Sequence, residues 1–393
     1  MSPSLASPVA HAPIPVKLPH TTRRRRAPTA GILPHVAVPT VGVEEEFLLV
    51  DRGSGLPRAV GGAVLAASGP GACAELTAEL QREQVETGTR PCGTLDELAT
   101  ELRSTRAAAA AAASEVGVAL APLATSPVAV EPTLSPSRRY EEMARRFGLT
   151  VSEELTCGCH VHVAISSAEE GVAALDRIRP WLAPLTALSA NSPFWQGEDS
   201  GYASYRSQVW SRWPSAGPYG VFGTGAGYAD VVATMISTET VLDEGMLYFD
   251  ARLSRRYPTL EVRVADVCLD TDDAVLVAAL VRALVTTGVE AWRRGAPADP
   301  VRTEVLRLAA WRAGRSGLDA TLLAPGTWRP APAADVLNRL VGFVAPALED
   351  AGDLTAVRGL LAAVLQRGTG AARQRAIFRR TGDLAAVVRA TLR

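Results

Sequence analysis

Lysine is all but missing from this chain. Lys17 is the only one among 393 residues, so 39 of the 40 basic side chains are arginine. That absence excludes chemistry built on an amine: the phosphate-binding loop with its Gly-Lys-Ser/Thr, the strand lysine of protein kinases, and Schiff-base or pyridoxal catalysis. Charge of one sign is lacking too. Forty basic against 41 acidic residues leave a net charge of −1, so no global field draws the chain to nucleic acid or to an anionic membrane. Cysteine is sparse and odd in number, at Cys73, Cys92, Cys157, Cys159 and Cys268, without the paired C-x-x-C spacing of a zinc site. A reduced, cytoplasmic setting is the expectation. No run of eighteen uninterrupted apolar residues occurs. The run from Ala107 to Leu120 is broken by Ser114 and Glu115, so no membrane span is expected.

Residues 1–38 are rich in Pro, Ser and Ala and carry Arg23 to Arg26. Pro28, Pro34 and Pro39 interrupt the apolar core an export signal would need, and the segment reads as a disordered basic tail or an early start site. From residue 39 to 393 the pattern is that of a single domain. Strands are predicted over Val41–Val50, Glu79–Thr89, Val116–Ala124, Leu155–Ile165, Gly245–Leu253 and Thr259–Asp266. Helices are predicted over 62–67, Leu95–Glu115 with Thr94 as its cap and Glu97 completing a capping box, 136–147, 168–190, 228–237 and 271–294. Beyond Asp299 the chain reads as almost wholly helical. Strands separated by helices of irregular length, without a repeated βαβ period, give an α+β fold with a mainly antiparallel sheet, flanking helices and a helical C-terminal segment.

Chemistry is concentrated at spacing two. Residues i and i+2 of a strand share a face, and strand after strand offers a polar pair there: Glu44 and Glu46, Gln84 and Glu86, His160 and His162, Asp250 and Arg252, Glu261 and Arg263. Alternate positions, such as Val43 and Phe47 or Val161 and Val163, are apolar and would pack a core. Wet outer faces on unrelated strands are the ordinary explanation. Histidine argues otherwise, because beyond the tail His160 and His162 are the only two. Unit charges about 4 Å apart repel by roughly 4 kcal/mol at an effective dielectric near 20, so clustered carboxylates call for a cation. An oxygen-dominated set with one or two imidazoles suits Mg²⁺ or Mn²⁺. Such ions serve phosphoryl transfer, in which Arg206, Arg252 and Arg263 could neutralise developing charge. By strand parity Cys157 and Cys159 fall on the face opposite the histidines, as small core residues.

An ordered set of motifs then carries a resemblance: Val41-Gly-Val-Glu-Glu-Glu-Phe47, Gln84-Val-Glu86, Cys157-Gly-Cys-His-Val-His-Val163, Asn191-Ser-Pro-Phe-Trp-Gln-Gly197 and Thr259-Leu-Glu-Val-Arg-Val264. Phe249-Asp-Ala-Arg252, Trp311 to Leu318 and Gly368 to Arg375 extend it across roughly residues 40–380. Together they resemble the glutamate–cysteine ligase type 2 family, ATP-dependent carboxylate–amine ligases related to glutamine synthetase. The resemblance implies a curved, mainly antiparallel sheet that cradles ATP and metals. Carried over, Glu44, Glu46, Glu86, His160 and Glu261 would ligate Mg²⁺ or Mn²⁺, and His162 would lie beside the ATP phosphates. Arg263 would contact the transferring phosphoryl group, while Arg206 and Arg252 would hold substrate carboxylate or phosphate. Gln374 and Arg375 would approach the site. Leu253 stands where the family commonly has proline. The implied chemistry is an acyl phosphate captured by an amine as an amide such as γ-glutamylcysteine.

Two other classes compete. A metal-dependent hydrolase could begin from the H-x-H strand, but past residue 40 the chain has no further histidine or lysine to complete its site. A catalytically silent binder of ATP and metal would have no need of the full carboxylate and arginine set. The motifs leave the acid and the amine open, and a ligase joining a different pair has the same signature. Small molecules are the expected partners, and exposed apolar faces on the C-terminal helices are compatible with a homodimer.

Overall fold

The computed structural model describes residues 38–68 and 75–392. The tail expected over residues 1–38 lies outside them save for Val38, as does Cys73. The described residues belong to one unit, Ala37–Arg393.

Among the described residues eleven strands run in chain order as β1 (Val41–Val50), β2 (Glu75–Ala78), β3 (Gln84–Gly88), β4 (Ala119–Ala121), β5 (Gly158–Ala164), β6 (Phe194–Trp195), β7 (Glu198–Asp199), β8 (Ala251–Leu253), β9 (Thr259–Asp266), β10 (Thr321–Ala324) and β11 (Arg329–Pro332). Seven of them make one sheet, β2-β3-β1-β5-β9-β8, with β4 joined to the far end of β1. All its pairings are antiparallel, in agreement with the α+β expectation. The apolar face of β1, β5 and β9 packs Val43, Val161, Val163 and Val262 against the buried helix Thr271–Arg293 and against Val172, Leu175 and Leu185. That helix is long and apolar enough to cross a membrane by composition alone, yet 83% of its most apolar stretch is buried inside the protein. It is the core's central rod.

Helix Leu95–Glu115 starts as its sequence dictates. The Thr94 hydroxyl accepts from the Glu97 N–H at 3.2 Å while the Glu97 carboxylate accepts from the Thr94 N–H at 3.3 Å, the reciprocal closure of a capping box. Four expectations need correction. The strand drawn through Glu79–Thr89 is extended only over β3, because Glu79 lies in the turn that joins β2 to β3. The helix drawn over 168–190 is broken into Ala168–Ile178, a 3₁₀ turn Arg179–Trp181 and Leu182–Ser189, because Pro180 has no N–H to donate into the ladder. The strand expected from Gly245 is extended only from Ala251, after a 3₁₀ turn Glu244–Met246. In the helical C-terminal segment, β10 and β11 form a hairpin around Pro325-Gly326, where Gly326 takes a φ of +85°. A Pro-Gly pair between short apolar runs was the available turn signal.

Candidate active site

Register, more than spacing, builds the site. On the exposed face of the sheet Glu44 of β1 stands opposite His160 of β5, and Glu46 opposite Glu86 of β3. His162 of β5 stands opposite Glu261 of β9, which is itself opposite Arg252 of β8. Four cross-strand pairs thus set residues separated by as many as 116 positions side by side, and they line a cleft of about 970 Å³. Glu44, Glu46, Glu86, His160, His162, Arg252, Glu261 and Arg263 all face it.

Three groups of ligand-type atoms converge to within 4.8 Å of one another: Glu44, Glu86 and His160; Glu44, His162 and Glu261; and Glu46, Glu79 and Glu86. One Glu44 oxygen is 3.3 Å from His162 Nε2 and 3.7 Å from His160 Nδ1. Burial works to raise the Glu44 carboxyl, but the two imidazoles outweigh it and hold the group below the usual carboxylate range. Glu261 is likewise held low against burial by Arg263 and Arg252. It pairs with Arg263 and takes the Arg252 Nε–H at 2.8 Å. The third group has no such help. Burial, followed by repulsion from Glu46, pushes Glu79 up to about 8, and burial with Glu79, Glu44 and Glu46 around it raises Glu86 well above the normal carboxylate value. The nearby guanidinium of Arg263 is committed to Glu261. His160 Nε2 and His162 Nε2 are buried without a hydrogen-bond partner, and burial together with Arg263 lowers the His160 pKa, keeping the ring neutral. A neutral His160, imidazole nitrogens left without a hydrogen-bond partner and carboxylates short of positive charge are the donor set a hard divalent cation requires, so the residues fit Mg²⁺ or Mn²⁺.

Gly158 opens β5 for a reason of space. Its N–H donates to Glu46 at 2.6 Å, and a Cβ there would stand 2.4 Å from Arg206 Nη2. Arg206 itself lies behind this strand, outside the acidic cleft. Its guanidinium sits over the Trp210 ring at 5.6 Å and reaches the Arg263 carbonyl at 3.4 Å, in an adjoining cavity. Asp250 joins it there. Parity placed Asp250 on the cleft face with Arg252, but it precedes β8, where its N–H donates to the Gly217 carbonyl and its carbonyl accepts from the Arg263 N–H. Gln374 is buried against Asn191, and Arg375 binds Asp199 and the Tyr202 carbonyl. Both anchor the segment after Asn191, and neither lines the cleft. Leu253 accommodates Arg252 without strain, since Arg252 lies in regular β8 pairing and lines the cleft. Cys157 and Cys159 are fully buried core residues.

Residues that spacing did not single out complete the walls. Glu79 enters from the β2–β3 turn, where no strand period exists to reveal it. Glu154 accepts from Thr156 and from the Trp213 indole at 3.2 Å. Tyr228, Val232 and Ile236 of the helix Gly225–Ser237 supply an apolar flank, with Tyr257 and Trp210 nearby. The density of Trp and Tyr between Asn191 and Gly223 was the one visible signal for part of this wall.

The fold, built on an antiparallel sheet that carries this cleft, is shared with solved ligases. The bifunctional glutathione synthetase of Pasteurella multocida superposes with a TM-score of 0.63 at 14% identity over 90% of this chain and 51% of that one, so the chain spans about half its length. Glutamate–cysteine ligase of Francisella tularensis, solved in complex with AMP, gives a TM-score of 0.60 at 13% identity over 90% and 88%. Likeness at this identity establishes the fold. The family follows from sequence: residues 40–390 match the model of glutamate–cysteine ligase family 2, and the chain belongs to that family. It is 52% identical to a Streptomyces coelicolor protein named "Putative glutamate--cysteine ligase 2" over 90% of this chain and 98% of that one. A Frankia alni protein named "Putative glutamate--cysteine ligase 2-2" is 51% identical over 91% and 97%.

Proposed function

We propose that the protein is an ATP-dependent carboxylate–amine ligase that activates an acid such as glutamate and joins it to an amine such as cysteine. The observation that carries this reading is the convergence of Glu44, Glu46, Glu79, Glu86, His160 and Glu261 with Arg252 and Arg263 in one cleft of a ligase-family fold. Glu44, Glu46, Glu86, His160 and Glu261, joined by Glu79, would hold Mg²⁺ or Mn²⁺. Bound there, divalent cations supply neutralisation of phosphate oxygens. His162, whose Nδ1 is 2.9 Å from Thr259 Oγ1, is oriented to meet the ATP phosphates with Nε2. Arg263 and Arg252 balance the charge that develops as a carboxylate oxygen of the acid attacks the γ-phosphorus and ADP leaves. The amine nitrogen then attacks the acyl carbon, phosphate departs, and the nitrogen loses a proton to give the amide.

ADP release by the full chain with ATP and Mg²⁺ tests the reading. Release should require glutamate and rise with one member of a panel of amines that includes cysteine. Glu261→Gln should reduce it at least 100-fold, about 2.7 kcal/mol of transition-state stabilisation, with an unchanged circular dichroism spectrum. No release with any acid and amine, although ATP binds, would overturn it.

A further inference from the structure

Behind the acidic cleft lies a second cavity of about 480 Å³. Trp210, Trp213 and Arg263 line both chambers and form the wall between them. The two differ in sign. The cleft is dominated by carboxylates, whereas the second cavity gathers Arg206, Arg263 and Arg307 around a single acid, Asp250.

Most buried polar groups in a protein find partners inside it, but beside this cavity a half-buried carboxylate and one nitrogen of a buried guanidinium do not. The Asp250 carboxylate makes no hydrogen bond or ion pair among the described residues, and burial pushes its pKa up to about 7 against the pull of Arg206 and Arg307. Arg206 is 2% exposed, and its Nε has no partner. Arg307, exposed on the helix Thr303–Ser316, pairs with no acid among the described residues. Arginines and a carboxylate that share one chamber without meeting leave room for a ligand bearing both charges. Phe249 and Trp311 give the chamber apolar sides.

We propose that this cavity is a head-group subsite for an α-amino acid, with Asp250 reading the ammonium and Arg206 and Arg307 reading the α-carboxylate. The inference rests on the ligase reading above only for which substrate carries that head group. A carboxylate flanked by guanidiniums matches the two opposite charges that an α-amino acid carries on one carbon, and charge-assisted hydrogen bonds of this kind are the strong ones. Asp250 disfavours a phosphate or a plain diacid. An amino acid seated here with a carboxylate in its side chain points that group toward Arg263, the residue shared with the cleft in which ATP would be cleaved. Ammonium held by Asp250 is not nucleophilic, so the arrangement suits the head of the acid substrate better than the attacking amine.

Calorimetric titration of the full chain, without ATP or metal, separates this inference from the ligase reading. The probes are L-glutamate, glutarate, 4-aminobutyrate and L-cysteine. L-Glutamate should bind at least ten-fold more tightly than glutarate, which lacks the ammonium, or 4-aminobutyrate, which lacks the α-carboxylate. Asp250→Asn, a change of no volume, should weaken L-glutamate at least ten-fold and leave glutarate unchanged. Arg307→Gln, on an exposed helix face where folding is not at stake, should weaken L-glutamate three- to ten-fold and leave 4-aminobutyrate unchanged. L-Cysteine bound in place of L-glutamate, with the same dependence on Asp250, would keep the subsite and assign it to the amine. Equal affinity for L-glutamate and glutarate, no effect of Asp250→Asn, or no binding of either amino acid would overturn it. A ligase with no such subsite would still release ADP.

Discussion

Three successive glutamates on β1 meet two different fates. Glu45 points into the core, fully buried, and Arg106 grips it with both arms, Nη2 to Oε1 at 2.6 Å and Nε to Oε2 at 2.8 Å. The guanidinium is itself secured by the Cys268 carbonyl at 2.9 Å and lies over the Phe47 ring. Burial opposes the charge on Arg106, but Glu45 more than compensates and raises its pKa. Glu44 and Glu46 point the other way. They share the cleft with Glu79 and Glu86, where Arg252 and Arg263 are committed to Glu261 and Arg139 to Asp243. One face of a strand carries a charge whose partner the fold supplies, the other carries charges whose partner must arrive from solution. A buried carboxylate is therefore no sign of function by itself, and the presence or absence of a fixed counter-charge separates the two roles.

Breaking the satisfied side should have the larger effect. Arg106→Met leaves Glu45 buried and unpaired, and removal of one member of a buried pair costs about 3–5 kcal/mol. Urea unfolding should show that loss, and the double variant Arg106→Met with Glu45→Leu should recover most of it. A loss near zero in the single variant would mean that Glu45 is neutral, and the contrast drawn here would collapse. On the unsatisfied side the sign should invert. Glu86→Gln removes a carboxylate crowded by Glu44, Glu46 and Glu79 while keeping an acceptor for the Thr77 hydroxyl, now 2.9 Å away. In metal-free buffer it should stabilise the protein by about 1–2 kcal/mol, as removal of uncompensated function-bearing charge commonly does. Millimolar Mg²⁺ should raise the Tm of the native chain and leave that of the variant almost unmoved. An equal rise in both would take Glu86 out of the cation site.

How far the sequence reveals this arrangement depends on whether strand geometry carries the residue. Val41–Val50 and Thr259–Asp266 agree with their expected bounds, because an alternating pattern with β-branched residues admits one register against a buried core. Period two on those strands, on β3 and on β5 is enough to bring Glu44, Glu46, Glu86, His160, His162, Glu261 and Arg263 to one face. Where the chain leaves the strand the rule fails. Glu79 reaches the cleft from a turn, and Asp250 departs from it one residue before β8 begins. The placement of Arg206 depends on the path of Asn191 to Gly223, a segment held by side-chain bonds such as Ser192 Oγ to Asp266 at 2.7 Å and Gln374 to Asn191 at 2.7 Å. Contacts across 74 and 183 positions leave no local periodicity to read.

Glu154 tests the comparison at its boundary, since it is buried like Glu45 yet lines the cleft like Glu46. It has hydrogen bonds from Thr156 and Trp213 but no fixed guanidinium, and burial pushes its pKa up to about 7. The unfolded chain titrates this group near the ordinary 4.5, so the folded state holds the proton more tightly and stability from this group falls as pH rises from about 4.5 to 7. Glu154→Gln mimics the protonated form, accepting from Trp213 and donating to Thr156. Its Tm should equal that of the native chain near pH 4.5, exceed it increasingly up to pH 7 and run parallel above, with a plateau worth about 3 kcal/mol. A constant offset at every pH would mean that Arg206 already satisfies Glu154 as Arg106 satisfies Glu45, and the line between charges the fold pairs and charges it leaves open would then run through the cleft wall instead of through the sheet.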